Sequence, residues 1–251
     1  MLTCTATSSM DLVLGTLILR PYVFGFVACF LAAGVMDLGW RRTLVFAAWV
    51  WPLAWVTEFV STRLGVPFGL YHYTGATRGQ ELYLANVPLM DPLSFTFLAY
   101  ASFCLARGAL GPRAGLWSLA LTGGLVMMLL DVVIDPIAVR GDQWFLGRIF
   151  YYVDGGVYFG VPLSNFAGWT VVGAAAIGGY LTLTGDGRGD RPAPGIALYY
   201  AVLAFNLAVT AWIHEWVLLG LGLLLHTATA AVLYAVRRRP AMRPGMESQK
   251  A

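Results

Sequence analysis

The stretch GLWSLALTGGLVMMLLDVVID, Gly115–Asp135, decides the fold. It carries no charge before Asp131 and then closes on two carboxylates, Asp131 and Asp135. A helix needs about 20 apolar residues to cross a hydrocarbon core of roughly 30 Å. Gly115–Asp135 has that length, and its composition suits nothing else. Six further runs of the same kind lie at about 20–38, 43–61, 90–107, 161–182, 196–213 and 216–236. Seven spans predict an all-α, polytopic transmembrane helical bundle in a single domain, residues 1–236. Residues 237–251 read as a polar, disordered tail. The apolar stretch Leu12–Leu19 either lengthens the first span or lies in the interface. It makes a poor signal peptide, because no basic residue precedes it.

Composition points the same way. The chain has 251 residues, 59% hydrophobic and only 12% charged, with a mean hydropathy of +0.70. Soluble domains carry roughly 25% charged residues, and this chain has too few to cover a soluble surface. A soluble enzyme, a disordered chain and a nucleic-acid binder are all excluded. The net charge of +3 is almost wholly arginine, since the only lysine is Lys250. That removes a retinal Schiff base and any lysine-based covalent chemistry within a span. Cys4, Cys29 and Cys104 stand singly, so no disulfide framework is implied. His72, His214 and His226 do not pair, which argues against a di-iron oxygenase. No phosphate-binding glycine motif is present, and no nucleotide, flavin or iron–sulfur cofactor has a visible site. The expected metal and cofactor content is none.

Sidedness follows from arginine. Arg41 and Arg42, Arg107 and Arg113, Arg188 and Arg191, and Arg237–Arg239 fall at one end of a seven-span bundle. The positive-inside rule makes that end cytoplasmic and the N-terminus external. The expected location is the cytoplasmic (inner) membrane. The segment Gly185–Gly195, GDGRGDRPAPG, reads as a flexible loop within the domain.

The polar residues of the spans gather at the other end. Glu58 lies near the end of the second span, Asp91 opens the third, Asp131 and Asp135 close the fourth, and Ser164 and Asn165 open the fifth. A carboxylate at bilayer depth costs roughly 2.5–3.5 kcal/mol, so it is a functional candidate by default. Asp131 and Asp135 are four residues apart and share a helix face. Two like charges so close in a low dielectric suit a shared proton and a general acid. Ordinary readings stand beside these. Asp91-Pro92 is also an N-cap followed by proline at the first helical position. Asp135-Pro136 is also a helix end. The Asp131/Asp135 pair could be neutralised by Arg63, Arg140 or Arg148, and Glu58 could be an interfacial carboxylate in an aromatic belt. His214-Glu215 reads as a polar turn and His226 as a satisfied core histidine. Two loop segments, Glu58–Thr74 and Asp135–Trp169, are richer in Gly, Pro and aromatic residues than a bundle needs, and read as a shaped pocket lid.

In these two segments the chain resembles the membrane carotenoid-biosynthesis proteins. These include the carotenoid 1′,2′-hydratases of carotenogenic bacteria and the bisanhydrobacterioruberin hydratases of haloarchaea. The matching residues are Glu58, Gly65, Pro67-Phe68-Gly69, Tyr71 and Tyr73 in the first segment. In the second they are Asp131, Asp135-Pro136, Trp144, Tyr158-Phe159-Gly160-Val161-Pro162, Ser164-Asn165-Phe166 and Gly168-Trp169. The resemblance implies cofactor-free addition of water to the terminal C1=C2 bond of an acyclic carotenoid ψ-end, giving a tertiary alcohol. Lycopene or a γ-carotene-type pigment is the implied substrate, met in the lipid bilayer.

For that reaction Asp131 is the expected acid, with Asp135 beside it. Glu58 and Asn165 would hold the water. Trp55, Tyr71, Tyr158 and Trp169 would line the cation site, and Tyr73 and Asp91 would contact substrate. Two alternatives remain open. A lycopene cyclase-like activity shares the protonation but excludes water. A carotenoid-binding membrane protein needs no buried carboxylate. The sequence does not give the oligomeric state.

Overall fold

The computed structural model describes residues Ser8–Arg238. Its long helices are α2 (Pro21–Leu38), α3 (Trp40–Leu64), α4 (Met90–Leu110), α5 (Leu116–Ala138), α6 (Leu163–Leu183), α7 (Ala193–Trp212) and α8 (Trp216–Arg238). Each is long and apolar enough to cross a membrane, and the chain is an integral membrane protein of mostly helical, single-domain form. A shorter helix, α1 (Ser9–Leu19), precedes them. The chain breaks at Arg20, so Leu12–Leu19 does not lengthen the first span. Instead α1 docks on the loop before α4, where the Leu82 amide donates to Thr16 Oγ1 at 2.8 Å. Helix α8 runs to Arg238, two residues into the stretch read as tail. The rest of that stretch, with Arg239 and Lys250, lies outside the described residues, as does Cys4.

Helix α4 is apolar on every side and is the central helix, as such a pattern requires. Around it stand α2, α3, α6, α5 and α7, with α8 against α4, α5 and α7. Phe46 of α3, Tyr100 and Phe103 of α4, and Tyr180 of α6 interlock as an aromatic core, all fully buried. At the arginine-rich end a clasp closes the bundle. Asp37 of α2 accepts two hydrogen bonds from Arg107 of α4, at 2.7 and 2.9 Å. The Arg191 amide donates to the same carboxylate at 2.8 Å. Arg188 donates to Ala114 O at 2.8 Å. The loop 185–195, read from its glycines as flexible, is therefore anchored to two other elements.

The opposite end carries the loops expected to form a lid. Helix α3 stops at Gly65, whose φ of 73° is open to glycine and costly to other residues. Two short ladders then appear that the helical periodicity gave no sign of. β1 (Tyr71–Tyr73) pairs antiparallel with β4 (Phe150–Tyr152), setting Tyr71 opposite Tyr152. β2 (Tyr83–Leu84) pairs with β3 (Val87–Pro88). A 3₁₀ turn, Gly141–Gln143, follows α5.

Both proline-based boundary readings are corrected. Helix α4 begins at Met90, before Asp91, and Asp91 makes no capping bond. Helix α5 passes through Pro136 to Ala138. Pro92 lies in the first turn of α4, where its missing N–H would be unpaired anyway, whereas Pro136, in the last turn of α5, forgoes only the single bond its N–H would have given to Val132 O.

Candidate active site

The ends of α3 and α5, the starts of α4 and α6, and the β1/β4 ladder enclose a cavity of about 130 Å³. Its lining includes the polar residues Glu58, Tyr73, Asp91, Ser94, Asp135, Asn165 and Asn206. It also includes Tyr22 and Phe26 of α2, which meet Phe205 of α7. Phe95 and Trp169 form one wall as a stacked pair, 4.3 Å between centroids and 10° between planes. Gly168 permits this wall. A Cβ there would meet Pro67 O and Phe68 Cδ1 at 2.7 Å. Only a residue without a side chain lets α6 rest on the Pro67–Gly69 loop.

Two groups of carboxyls meet at the cavity. On α5, Asp131 and Asp135 lie one turn apart and within hydrogen-bonding reach of each other. A single Asn165 Nδ2 bridges them, donating to Asp131 Oδ2 at 2.6 Å and to Asp135 Oδ2 at 2.7 Å. The Tyr152 hydroxyl donates to Asp135 at 3.0 Å. Asp131 is fully buried, and its Oδ1 has no partner among the described residues. An unpartnered buried oxygen costs about 1–3 kcal/mol, so it calls for an explanation in function. On α3, Glu58, 3% exposed, accepts from the Tyr73 hydroxyl at 3.0 Å.

Among the described residues no ion pair reaches Glu58, Asp131 or Asp135. The ion pairs among the described residues are Arg20–Glu81, Asp37–Arg107, Arg140–Glu215 and Asp186–Arg188. Arg63 turns to Phe59 O and Asn86 instead. Neutralisation of the α5 pair by Arg63, Arg140 or Arg148 is therefore not what the structure shows, and two bridged carboxyls without an ion-pair partner hold at least one proton between them. The phenols are the fixed donors. Burial, then the charges of Asp91 and Glu58, pushes the Tyr73 phenol well above its ordinary value. Burial, then Asp135 and Asp131, does the same to Tyr152. Burial also leads for Tyr71. All three stay neutral O–H groups at physiological pH.

The residues singled out from the sequence divide into three sets. Glu58, Asp91, Asp135, Asn165, Tyr71, Tyr73 and Trp169 line the cavity. Asp131 lies behind Asn165 and Asp135 and does not line it. Trp55 and Tyr158 are not in the lining either. Trp55 Nε1 donates to Leu84 O at 3.3 Å, and Tyr158 packs on Phe159 and Phe166. His226 is satisfied by Leu129 O, and His214-Glu215 is a turn in which Glu215 binds Arg140. Tyr152, Phe95, Tyr22 and Phe205 were missed. Only the aromatic run Phe150–Tyr152 inside an already notable loop could have flagged one of them.

The fold and the site define an integral membrane protein with a largely apolar internal cavity and paired carboxyls beside it. The chain belongs to the carotenoid biosynthesis protein family, whose match covers residues 9–233. It is 33% identical over 148 residues to the bisanhydrobacterioruberin hydratase of Haloarcula japonica. That alignment covers 59% of this chain and 47% of the relative, so the chain spans about half the length of the curated relative it matches. No solved structure matches the chain.

Proposed function

We propose that the protein is a carotenoid hydratase of the cytoplasmic membrane. It would add water across the terminal C1=C2 bond of an acyclic ψ-end, without metal or other cofactor. Lycopene or a γ-carotene-type pigment is the substrate in this reading. The observation that carries it is that Glu58 and Asp135, neither held in an ion pair, line one cavity together with the aromatic rings of Phe95, Trp169 and Tyr71. An alkene needs an acid that keeps its proton in an apolar site. A hydratase also needs a second group that holds water within reach of the resulting cation.

The chemistry balances on residues of this chain. The α5 pair shares a proton, and Asp135, which lines the cavity, gives it to C2. A C2–H bond forms, the C1=C2 π bond breaks, and a tertiary cation remains at C1. The faces of Trp169, Phe95 and Tyr71 stabilise it. Water held by Glu58, Tyr73 and Asp91 attacks C1, and its surplus proton passes to Glu58. Return of that proton to the α5 pair closes the cycle with one water consumed. Asp131 backs Asp135 as the second carboxyl of the shared-proton pair, and Asn165 fixes their spacing. The expected donor thus moves one turn along α5, from Asp131 to Asp135, because only the latter reaches the cavity. Trp55 and Tyr158 take no part in lining the cation site.

Cyclisation of the same end would call for a dry wall where the cation forms. The Glu58–Tyr73–Asp91 wall favours capture by water instead. Expression in lycopene-accumulating cells tests the reading. Pigments heavier by one water per processed end support it. Ring-closed pigments of unchanged mass would replace it with the cyclase reading, and unaltered lycopene bound to the protein would replace it with a binding function.

A further inference from the structure

We propose that the seam between α2 and α7 is the lateral portal through which the apolar end of a bilayer-dissolved isoprenoid reaches the cavity, with Tyr22, Phe26 and Phe205 as its gate. The inference rests on the carotenoid reading of the site and adds the route and the residues that control it.

The cavity does not end at the carboxyls. It continues to Tyr22 and Phe26, which lie one turn apart on the same face of α2, and to Phe205 on α7. The rings of Tyr22 and Phe205 stack at 5.3 Å and 16°. Phe26 meets Phe205 edge-on at 5.6 Å. All three are half-buried, so one side of this layer faces the cavity and the other faces outward. Phe145 and Trp212 continue it on the outer surface, 51% and 59% exposed.

Among the described residues no hydrogen bond or ion pair joins α2 to α7 themselves; the Arg191 amide, just before α7, reaches Asp37 only at the far, arginine-rich end. Several other interfaces around the site are crossed by polar contacts. Asn165 ties α6 to α5, Trp49 Nε1 ties α3 to α6, Tyr199 ties α7 to α5 and Asp37 ties α2 to α4. The loops over the cavity are tied together at Arg20. Arg20 is 1% exposed, binds both oxygens of Glu81 at 2.9 and 3.3 Å, and donates to Leu146 O at 2.7 Å. That clasp locks the start of α2 to both loops over the cavity. A substrate dissolved in lipid would have to break it to arrive from the water side. At the seam Phe26 and Phe205 are held by ring packing, which side-chain motion can displace.

The test uses the full chain with Cys4 and Cys29 replaced by Ser, leaving only the buried Cys104. Phe205→Cys is labelled in detergent with a bulky apolar methanethiosulfonate, which dithiothreitol removes. Phe26→Cys serves if that variant does not fold, and Leu224→Cys, on the exposed face of α8, is the control. Two readouts are taken with lycopene, the pigment co-purifying with the protein and the hydrated product. Labelling at 205 should cut both about tenfold or more, reduction should restore them, and labelling at 224 should change neither. Unchanged uptake and turnover in the labelled seam variant would overturn the portal and leave the hydratase reading standing. Uptake that depends on the seam with no hydrated product would keep the portal and overturn the hydratase. No uptake by the unlabelled protein would overturn both.

Discussion

Replacing Asp135 by Asn separates the two carboxyls of α5. An Asn Oδ1 in the place of Asp135 Oδ2 still accepts from the Tyr152 hydroxyl, at 3.0 Å in the native protein, and from Asn165 Nδ2, at 2.7 Å. Shape, packing and pigment binding should therefore survive. The variant lacks an acid at the cavity wall. Losing a general acid costs about 10²–10⁴-fold in rate, or about 3–5 kcal/mol of barrier. Asp131→Asn leaves the donor in place and removes only the group that shares its proton, so its loss should be smaller. The assay is turnover of lycopene by purified variants in detergent, normalised to bound pigment. Near-normal turnover by Asp135→Asn beside a dead Asp131→Asn would overturn this assignment, because the donor would then sit on the residue that does not line the cavity. If both retain turnover and Glu58→Gln is dead, the acid belongs to α3 and the α5 pair is structural.

Three further outcomes are expected. Asp37→Ala strands the buried Arg107 and should cost about 3–5 kcal/mol of stability, read as a lowered thermal midpoint in detergent; an unchanged midpoint would mean that the clasp contributes nothing. Burial pushes the phenols of Tyr71, Tyr73 and Tyr152 up from 10.0. Above that pH the unfolded chain sheds protons that the folded one keeps, so their contribution is complete below pH 10.0 and is lost as pH rises further. Each adds about 1.4 kcal/mol per pH unit to the fall, and Tyr152→Phe should make the decline between pH 10 and 11 shallower; an identical slope would contradict its burial as a neutral donor. Reporter fusions after Arg113 and after Arg238 should both report the cytoplasm. Opposite sides would break the seven-span count.

The helices were legible because each span must satisfy its backbone within itself, which leaves a run of apolar residues that one short stretch reveals. Gly115–Asp135 and α5 differ by only a few residues at the end. The acid pair was legible for the same local reason, since spacing of four fixes a shared face. What failed to show is what the chain brings together over long separations. Tyr152 meets Asp135 because β1 and β4 pair across nearly eighty residues, and three-residue strands leave no periodicity to read. Asp37 and Arg107 are 70 residues apart, and Arg20 and Glu81 are 61 apart. Trp55 and Tyr158 were named for the cation site of the reaction that the resemblance implies, yet Trp55 bonds Leu84 O and Tyr158 packs on Phe159 and Phe166. Asp131 and Asp135 share a face, but only the fold decides which of two neighbours on that face reaches open space.

In the proposed reaction water adds to a protonated alkene in this cavity. The direct measurement is anaerobic incubation of the purified protein with lycopene in ¹⁸O-labelled water, with a chelator present and no nucleotide or reductant added. The expected product is heavier by one labelled water for each processed end, with the label in a tertiary alcohol. A product that appears only with oxygen, metal or reductant, or whose hydroxyl carries no label from water, would contradict it.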